Sequence, residues 1–225
     1  MANNYFDATG TLVLDKVTPV VKALFGGFKL DAKYPGNGEC YIANLSEVNE
    51  PNWNDIRQAL VALAQERGLA PTEGVHDDDD AWLRALCADF GDQDDKLARE
   101  IAGFEDSVWV GDVFEIAQKL DDGHGLKAVK LEGCCHCSKP RLFEFGGAGH
   151  FITNDCRVGV ASGDAIEYGN ALQAALDGGN LDNVAAVVLE QVHKVLGSLQ
   201  NEETRNAVKQ KLAAKLATAA GQEGC

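Results

Sequence analysis

The order of strand and helix signals along the chain is the sequence feature that most constrains its fold. β-rich runs predict strands in residues 5–14 and 35–47, and several strands joined by tight turns follow in residues 126–160. Helical signals are concentrated between and after these runs. Because this order is segregated rather than alternating, we predict an α+β fold. The expected architecture is a mixed or antiparallel sheet with a central hairpin cluster, flanking helices and a helical C-terminal segment.

The clearest helical signal lies in residues 49–68. Ile56, Leu60 and Leu63 recur at intervals of four and three residues, which places them on one face of a helix. Pro51 suits the first helical position, where the missing N–H costs no hydrogen bond. We therefore predict a helix that begins at Pro51 and buries this face.

The C-terminal helices carry one broad and one narrow apolar stripe. The broad stripe comprises Leu181, Val184, Val188, Val192, Val195 and Leu199, and the narrow stripe comprises Val208, Leu212 and Leu216. The helix with the narrow stripe can pack on the rest of the chain or on a second copy, so a homodimer is one expected arrangement. We predict an α+β body in residues 1–162 and a helical segment in residues 163–225, packed on the body as one domain.

Residues 132–156 contain four of the seven cysteines and two of the five histidines. Cys134, Cys137, His150 and Cys156 have the spacing C-x2-C-x12-H-x5-C, which is a zinc pattern with a cysteine in place of the last histidine. Three thiolates and one imidazole form a known structural zinc set. A structural zinc is therefore one interpretation of this stretch, with a tight turn between the first two cysteines and a hairpin connection at residues 138–141.

Two other interpretations of this stretch remain open. The cysteines can be inert small apolar side chains of a hairpin, since a chain of this length buries a core without a metal. Alternatively, Cys134, Cys135 or Cys137 is a nucleophile whose pKa is lowered by His136 or His150. Cys135 and His136 also offer competing ligands, so the spacing alone does not choose among these interpretations.

The charge of the chain limits its partners. A net charge of −15 opposes binding to nucleic-acid phosphates and to anionic membranes, so we expect neither as a direct partner. Twelve acids against three bases lie between Glu73 and Asp106. Within this segment Asp77, Asp78, Asp79 and Asp80 are either helix-capping carboxylates or the contact surface for a protein partner.

The cysteines and the absence of targeting signals favour the cytoplasm. Seven cysteines are an odd number, and three of them crowd into the sequence CCHC, which is not a disulfide framework. No N-terminal secretion signal and no apolar run long enough to span a bilayer is present in the sequence.

No familiar catalytic motif occurs in the sequence. A P-loop, a dinucleotide fingerprint and a nucleophile elbow are all missing. We therefore predict a non-enzymatic cytosolic protein whose acidic surface binds a protein partner, such as a basic nucleic-acid-binding protein that it engages by nucleic-acid mimicry. The alternative is a zinc- or thiol-dependent enzyme or redox sensor centred on residues 134–156.

Overall fold

The computed structural model describes residues 4–105, 107–139, 142 and 144–222, with side chains up to residue 219. The chain divides into two compact units, Met1–Phe145 and Gly146–Cys225. The predicted division between residues 162 and 163 stays a prediction. The compact unit that begins at Gly146 includes the two strands on which the first C-terminal helix packs.

The first unit contains four antiparallel strands in the order β2-β3-β1-β4. They are β1 (Asn4–Val13), β2 (Asp31–Gly36), β3 (Glu39–Leu45) and β4 (Ala128–Cys137). β1 is central and pairs along its whole length with β4. At Gly10 a Cβ atom would lie 1.9 Å from the carbonyl oxygen of Lys130, so this position of β1 accommodates only glycine.

Five helices of the first unit lie between β1 and β4. They are α1 (Pro19–Phe25), α2 (Trp53–Glu66), α3 (Asp78–Asp89), α4 (Lys96–Ala102) and α5 (Val110–Lys119). The predicted apolar face of α2 is confirmed, because Ile56, Leu60 and Leu63 are all buried. The helix nevertheless begins at Trp53 rather than at Pro51, because the Asn52 side chain accepts a 2.9 Å hydrogen bond from the Asp55 N–H and caps it.

The core of the first unit joins the sheet to these helices. Leu12, Ile42 and Val129 of the sheet are fully buried, as are Leu60 of α2 and Phe114 of α5. The helix α1 packs against both α2 and α5, and α5 contacts β4. Apolar residues from distant parts of the chain thus form one closed core.

The second unit consists of a hairpin followed by three helices. Its elements are β5 (Gly146–Ile152), β6 (Arg157–Ala161), α6 (Ser162–Asp177), α7 (Leu181–Gly197) and α8 (Glu202–Gln222). β5 and β6 pair antiparallel, and α6 packs on the hairpin and on α7. The predicted α+β class, antiparallel pairing and helical C-terminal segment are confirmed.

Some of the predicted local details differ or lie outside the described residues. Several strands joined by tight turns were predicted over residues 126–160; the structure has β4, β5 and β6 in this range, and β5 begins at Gly146. Residues 140 and 141 of the predicted hairpin connection lie outside the described residues. None of the helices in the described part of the chain is long and apolar enough to cross a bilayer.

Candidate functional site

Cys134 and Cys137 lie on one regular strand rather than on a tight turn. β4 pairs continuously with β1, with Cys134 opposite Asp7 and Cys137 opposite Asn4. Side chains alternate along a strand, so residues three apart face opposite sides, and their Cα atoms are about 10 Å apart. Accordingly Cys134 is exposed and Cys137 is buried. The turn expected from the C-x2-C spacing is absent because this segment completes the ladder with β1.

His150 and Cys156 both belong to the second unit. His150 pairs with Gly159 in the β5–β6 ladder. Cys156 ends the turn that joins these strands, where its N–H donates to Thr153 Oγ1 at 3.0 Å. The predicted zinc set therefore takes two residues from each unit, and it stays a prediction.

A different group of potential ligands comes together after α5. Among the described residues, Asp121, Asp122 and His124 are the one group of three or more such side chains whose ligand atoms lie within 4.8 Å of one another. His124 is buried, and its Nδ1 accepts a hydrogen bond from the Leu126 N–H at 2.9 Å. Its Nε2 therefore carries the proton and donates to the Ala117 carbonyl oxygen at 3.0 Å.

These hydrogen bonds give the group after α5 a structural role. A metal needs a lone pair on a ring nitrogen, and both nitrogens of His124 are already engaged. The His124 carbonyl oxygen accepts from the Asp15 N–H at 2.9 Å, and Asp122 Oδ2 accepts from the Val20 N–H at 3.2 Å. The segment thereby ties the end of α5 to α1 and to the end of β1.

Sequence reasoning missed the burial of His124 and treated it as a surface turn residue. The available signal was the glycine that follows it. Gly125 has a φ of +59°, and a Cβ there would lie 2.2 Å from Asp15 Oδ2. This close approach to another segment is what a glycine permits, and it marks the turn as packed rather than free.

The four predicted partner-binding aspartates lie at the start of α3. Asp77 is its N-cap and accepts from the N–H groups of Asp79 and Asp80 at 3.0 and 3.1 Å. The Asp79 carboxylate accepts from Gln58 Nε2 at 2.7 Å. Asp78 is exposed in the first turn. Helix capping therefore accounts for part of this acidic cluster, and its binding role stays a prediction.

Arg84 further neutralises this acidic surface. Its guanidinium lies 2.9 Å from Asp80 and 2.6 Å from Asp95, which links the start of α3 to the start of α4. The hydrogen bond to Asp80 is the largest cause that raises the pKa of Arg84, and Asp95 adds to it. A partner would have to compete with Arg84 for Asp80.

The cysteines of the first unit differ widely in accessibility. Burial raises the pKa of Cys87 in α3 to about 12, and nearby Asp92 adds to the shift. Burial also raises the pKa of Cys40. Cys134 and Cys135 of β4 are exposed, whereas Cys137 is buried.

The second unit buries very little apolar surface. Among its described residues, Ile152 and Leu196 are the only buried apolar side chains, and α6 buries none. Leu181, Val188 and Val195 of α7 are 79%, 44% and 71% exposed. Because seven residues are close to two helical turns, these three side chains lie in one line, which we call the α7 stripe.

The last helix also lacks a covering layer. Every described side chain of α8 is exposed except Arg205 and Leu212, which are half-buried. Val208, Leu212 and Leu216 follow one another at intervals of four residues, and we call them the α8 stripe. Lys209 and Lys215 lie on opposite sides of this stripe, because each is about 60° from Leu212 around the helix.

The connection between α7 and α8 is fixed to the β5–β6 turn. The Arg157 N–H donates to the Ser198 carbonyl oxygen at 2.8 Å, and the Gln200 N–H donates to the Asp155 carbonyl oxygen at 2.9 Å. The Arg205 guanidinium donates to the Leu199 carbonyl oxygen, with Nη2 at 2.6 Å. These bonds set where α8 begins and hold its first turn.

Comparison with known proteins gives no family for the chain. No protein-family model matches it, and neither a curated protein nor a solved structure matches it significantly. Its function must therefore be argued from its own residues.

Proposed function

We propose that this chain is a non-enzymatic interaction protein of the cytosol whose main contact surface is the exposed apolar face of α6, α7 and α8. One observation carries the proposal: the second unit leaves the α7 stripe and the α8 stripe largely uncovered while it buries almost no apolar side chain. Apolar surface is driven out of water, so a unit built in this way gains most of its burial from a partner.

The exposed apolar area of α6 and α7 is substantial. Six aliphatic side chains of α6 and α7 are 44% exposed or more, and they leave on the order of 500 Å² of apolar surface. They are Ile166, Leu176, Leu181, Val188, Leu189 and Val195. The largest apolar patch of an ordinary monomer is about this size, and such patches are often functional.

The acidic first unit supports a second contact. Residues 1–145 contain 14 bases against 26 acids, a net charge of −12. This negative charge favours a basic protein as the partner of the first unit's acidic surface. Asp77, Asp78, Asp79 and Asp80 belong to that surface. Reversing the charge of these four residues should weaken the binding of a basic partner; unchanged binding would remove this part of the proposal.

A zinc- or thiol-dependent enzyme or redox sensor is the second candidate. It is favoured by the exposure of two adjacent thiols, Cys134 and Cys135. This candidate is tested by thiol-specific labelling at neutral pH, with the labelled cysteines identified by peptide mapping. One cysteine that reacts far faster than a free thiol would support the candidate, and uniformly slow reaction of all cysteines would oppose it.

The main proposal is tested with variants of the α7 stripe. Leu181→Glu with Val188→Glu places two charges in the stripe, and Asn183→Glu is the matched control on the far side of the same helix. Tagged proteins are used to capture partners, copies of the chain included, from the cells that carry it. The stripe variant should lose partners that the wild type and the control retain. Equal retention by all three proteins would contradict the proposal.

A further inference from the structure

The helix α8 and the pair α6–α7 carry opposite charge. Residues 162–197, which form α6 and α7, contain five acids and one base. Residues 202–222, which form α8, contain four bases and two acids, and both acids precede the bases in the first turn. The acids are Asp164, Glu167, Asp177, Asp182 and Glu190, and the bases of α8 are Arg205, Lys209, Lys211 and Lys215. The two surfaces therefore attract each other.

Their apolar stripes are also complementary. The α7 stripe runs over about 21 Å of helix, and the 21 residues of α8 span about 31 Å. A helix with a narrow apolar stripe and flanking lysines can lie along a second helix with its apolar side inward and its charges at the rim. This is the arrangement in which both stripes leave water.

The same chain does not bring these surfaces together. The four-residue connection between α7 and α8 is held by the hydrogen bonds of Ser198, Leu199 and Gln200 to the β5–β6 turn and to Arg205. Folding α8 back along its own α7 would break these bonds. With the connection held, α8 remains exposed and available to another molecule.

We infer that α8 docks on the α6–α7 surface of a second copy of this chain, and that the second copy returns the same contact. This inference rests on the proposed function and names its partner. The exchange is isologous, because the same two surfaces meet twice across a two-fold axis. Two helix contacts per dimer bring the buried area toward the ~1,600 Å² of a stable interface, which a single helix contact does not reach.

A charge-swap experiment tests the inference. The first variant carries Lys209→Glu and Lys215→Glu on α8, and the second carries Asp177→Lys and Asp182→Lys on α6 and α7. Masses are measured by sedimentation equilibrium and native mass spectrometry, and helicity is checked by circular dichroism. The wild type should have twice the chain mass of 24.0 kDa.

The two variants should each be monomeric alone, with dissociation constants raised at least about ten-fold, and should form a mixed dimer when combined. In the mixed dimer both contacts again join opposite charges. If the variants dimerise alone, or remain monomeric when mixed although both are folded, the inference is overturned.

Dye binding separates failure of the inference from failure of the proposed function. If the wild type is a monomer that binds an apolar dye, and Leu181→Glu with Val188→Glu abolishes that binding, the face is open and its partner is another protein. The inference is then wrong and the proposed function stands. If the wild type is a monomer that binds no dye, α8 covers the face in its own chain and both are wrong.

Discussion

The two units of this chain have similar helices and very different interiors. The first unit closes a core in which side chains such as Leu12, Leu60 and Phe114 are fully buried. The second unit has three longer helices, yet Ile152 and Leu196 are its only buried apolar side chains among the described residues. Helix formation depends on local sequence, whereas most of the stability of a helix comes from what covers its apolar face. This comparison is the basis of the proposal that a partner completes the second unit.

The largest expected effect is truncation of a core side chain in the first unit. Phe114→Ala removes a fully buried ring and should lower the free energy of unfolding by about 3–5 kcal/mol. The measurement is urea unfolding followed by tryptophan fluorescence, since Trp53, Trp82 and Trp109 all lie in this unit. A loss below about 1 kcal/mol would contradict the closed core.

The next effect concerns the turn that ties α5 to β1. His124→Ala leaves the Leu126 N–H without its acceptor and the Ala117 carbonyl without its donor, so the free energy of unfolding should fall by about 2–3 kcal/mol. His193→Ala, at an exposed position of α7, is the matched control and should have almost no effect. A chelator should change the melting temperatures of the wild type and of His124→Ala by the same amount. A fall that only the wild type shows would instead indicate a metal at this turn.

An effect that is smaller for each unit of pH should appear at high pH. The folded-state pKa of Cys87 is about 12 against an ordinary value of 9.0, so the unfolded chain loses this proton first as the pH rises. The contribution of Cys87 to stability is thus complete below pH 9 and is lost as the pH rises toward 12, with a slope of up to about 1.4 kcal/mol per pH unit.

Cys87→Ala isolates this contribution from other groups that titrate at high pH. The free energy of unfolding of the wild type should fall more steeply above pH 9 than that of the variant. Parallel pH profiles would show that Cys87 is not held in an apolar environment.

The smallest effect is expected in the second unit. Leu181→Ala alters a side chain that is 79% exposed, so in dilute solution it should change the free energy of unfolding by less than about 0.5 kcal/mol. Circular dichroism is the measurement, because the helices of this unit contain no tryptophan. A loss comparable to that of Phe114→Ala would mean that Leu181 is buried within its own chain.

The sequence predicted helices in both units but could not show what covers them. The intervals of four and three residues between Ile56, Leu60 and Leu63 recur in the broad apolar stripe that begins at Leu181, and both segments are helical. Their different burial depends on residues far away in the chain. The start of α2 was misplaced for a local reason, since the Asn52 side chain supplied a cap that outweighed the preference of Pro51 for the first turn.

The cysteine spacing illustrates the same limit at the candidate site. C-x2-C is compatible with a metal-binding turn and with a strand, and pairing with β1, more than a hundred residues earlier, selects the strand. The turn that contains His124 packs against the segments of Asp15 and Val20, and Gly125 is a local sign of that packing but does not identify the segments. Helix caps and apolar periodicity could therefore be predicted from the local sequence, whereas the arrangement of potential ligands depended on tertiary contacts.

Amide hydrogen exchange at two protein concentrations tests the central claim most directly. If a second copy covers α7 and α8, protection of their amides should rise with concentration, while protection of β1, β4 and α5 stays constant. A contact of about −7 kcal/mol would half-dissociate at roughly 10 μM protein. The account would be contradicted if the amides of α7 and α8 were equally protected at concentrations well below and well above that value.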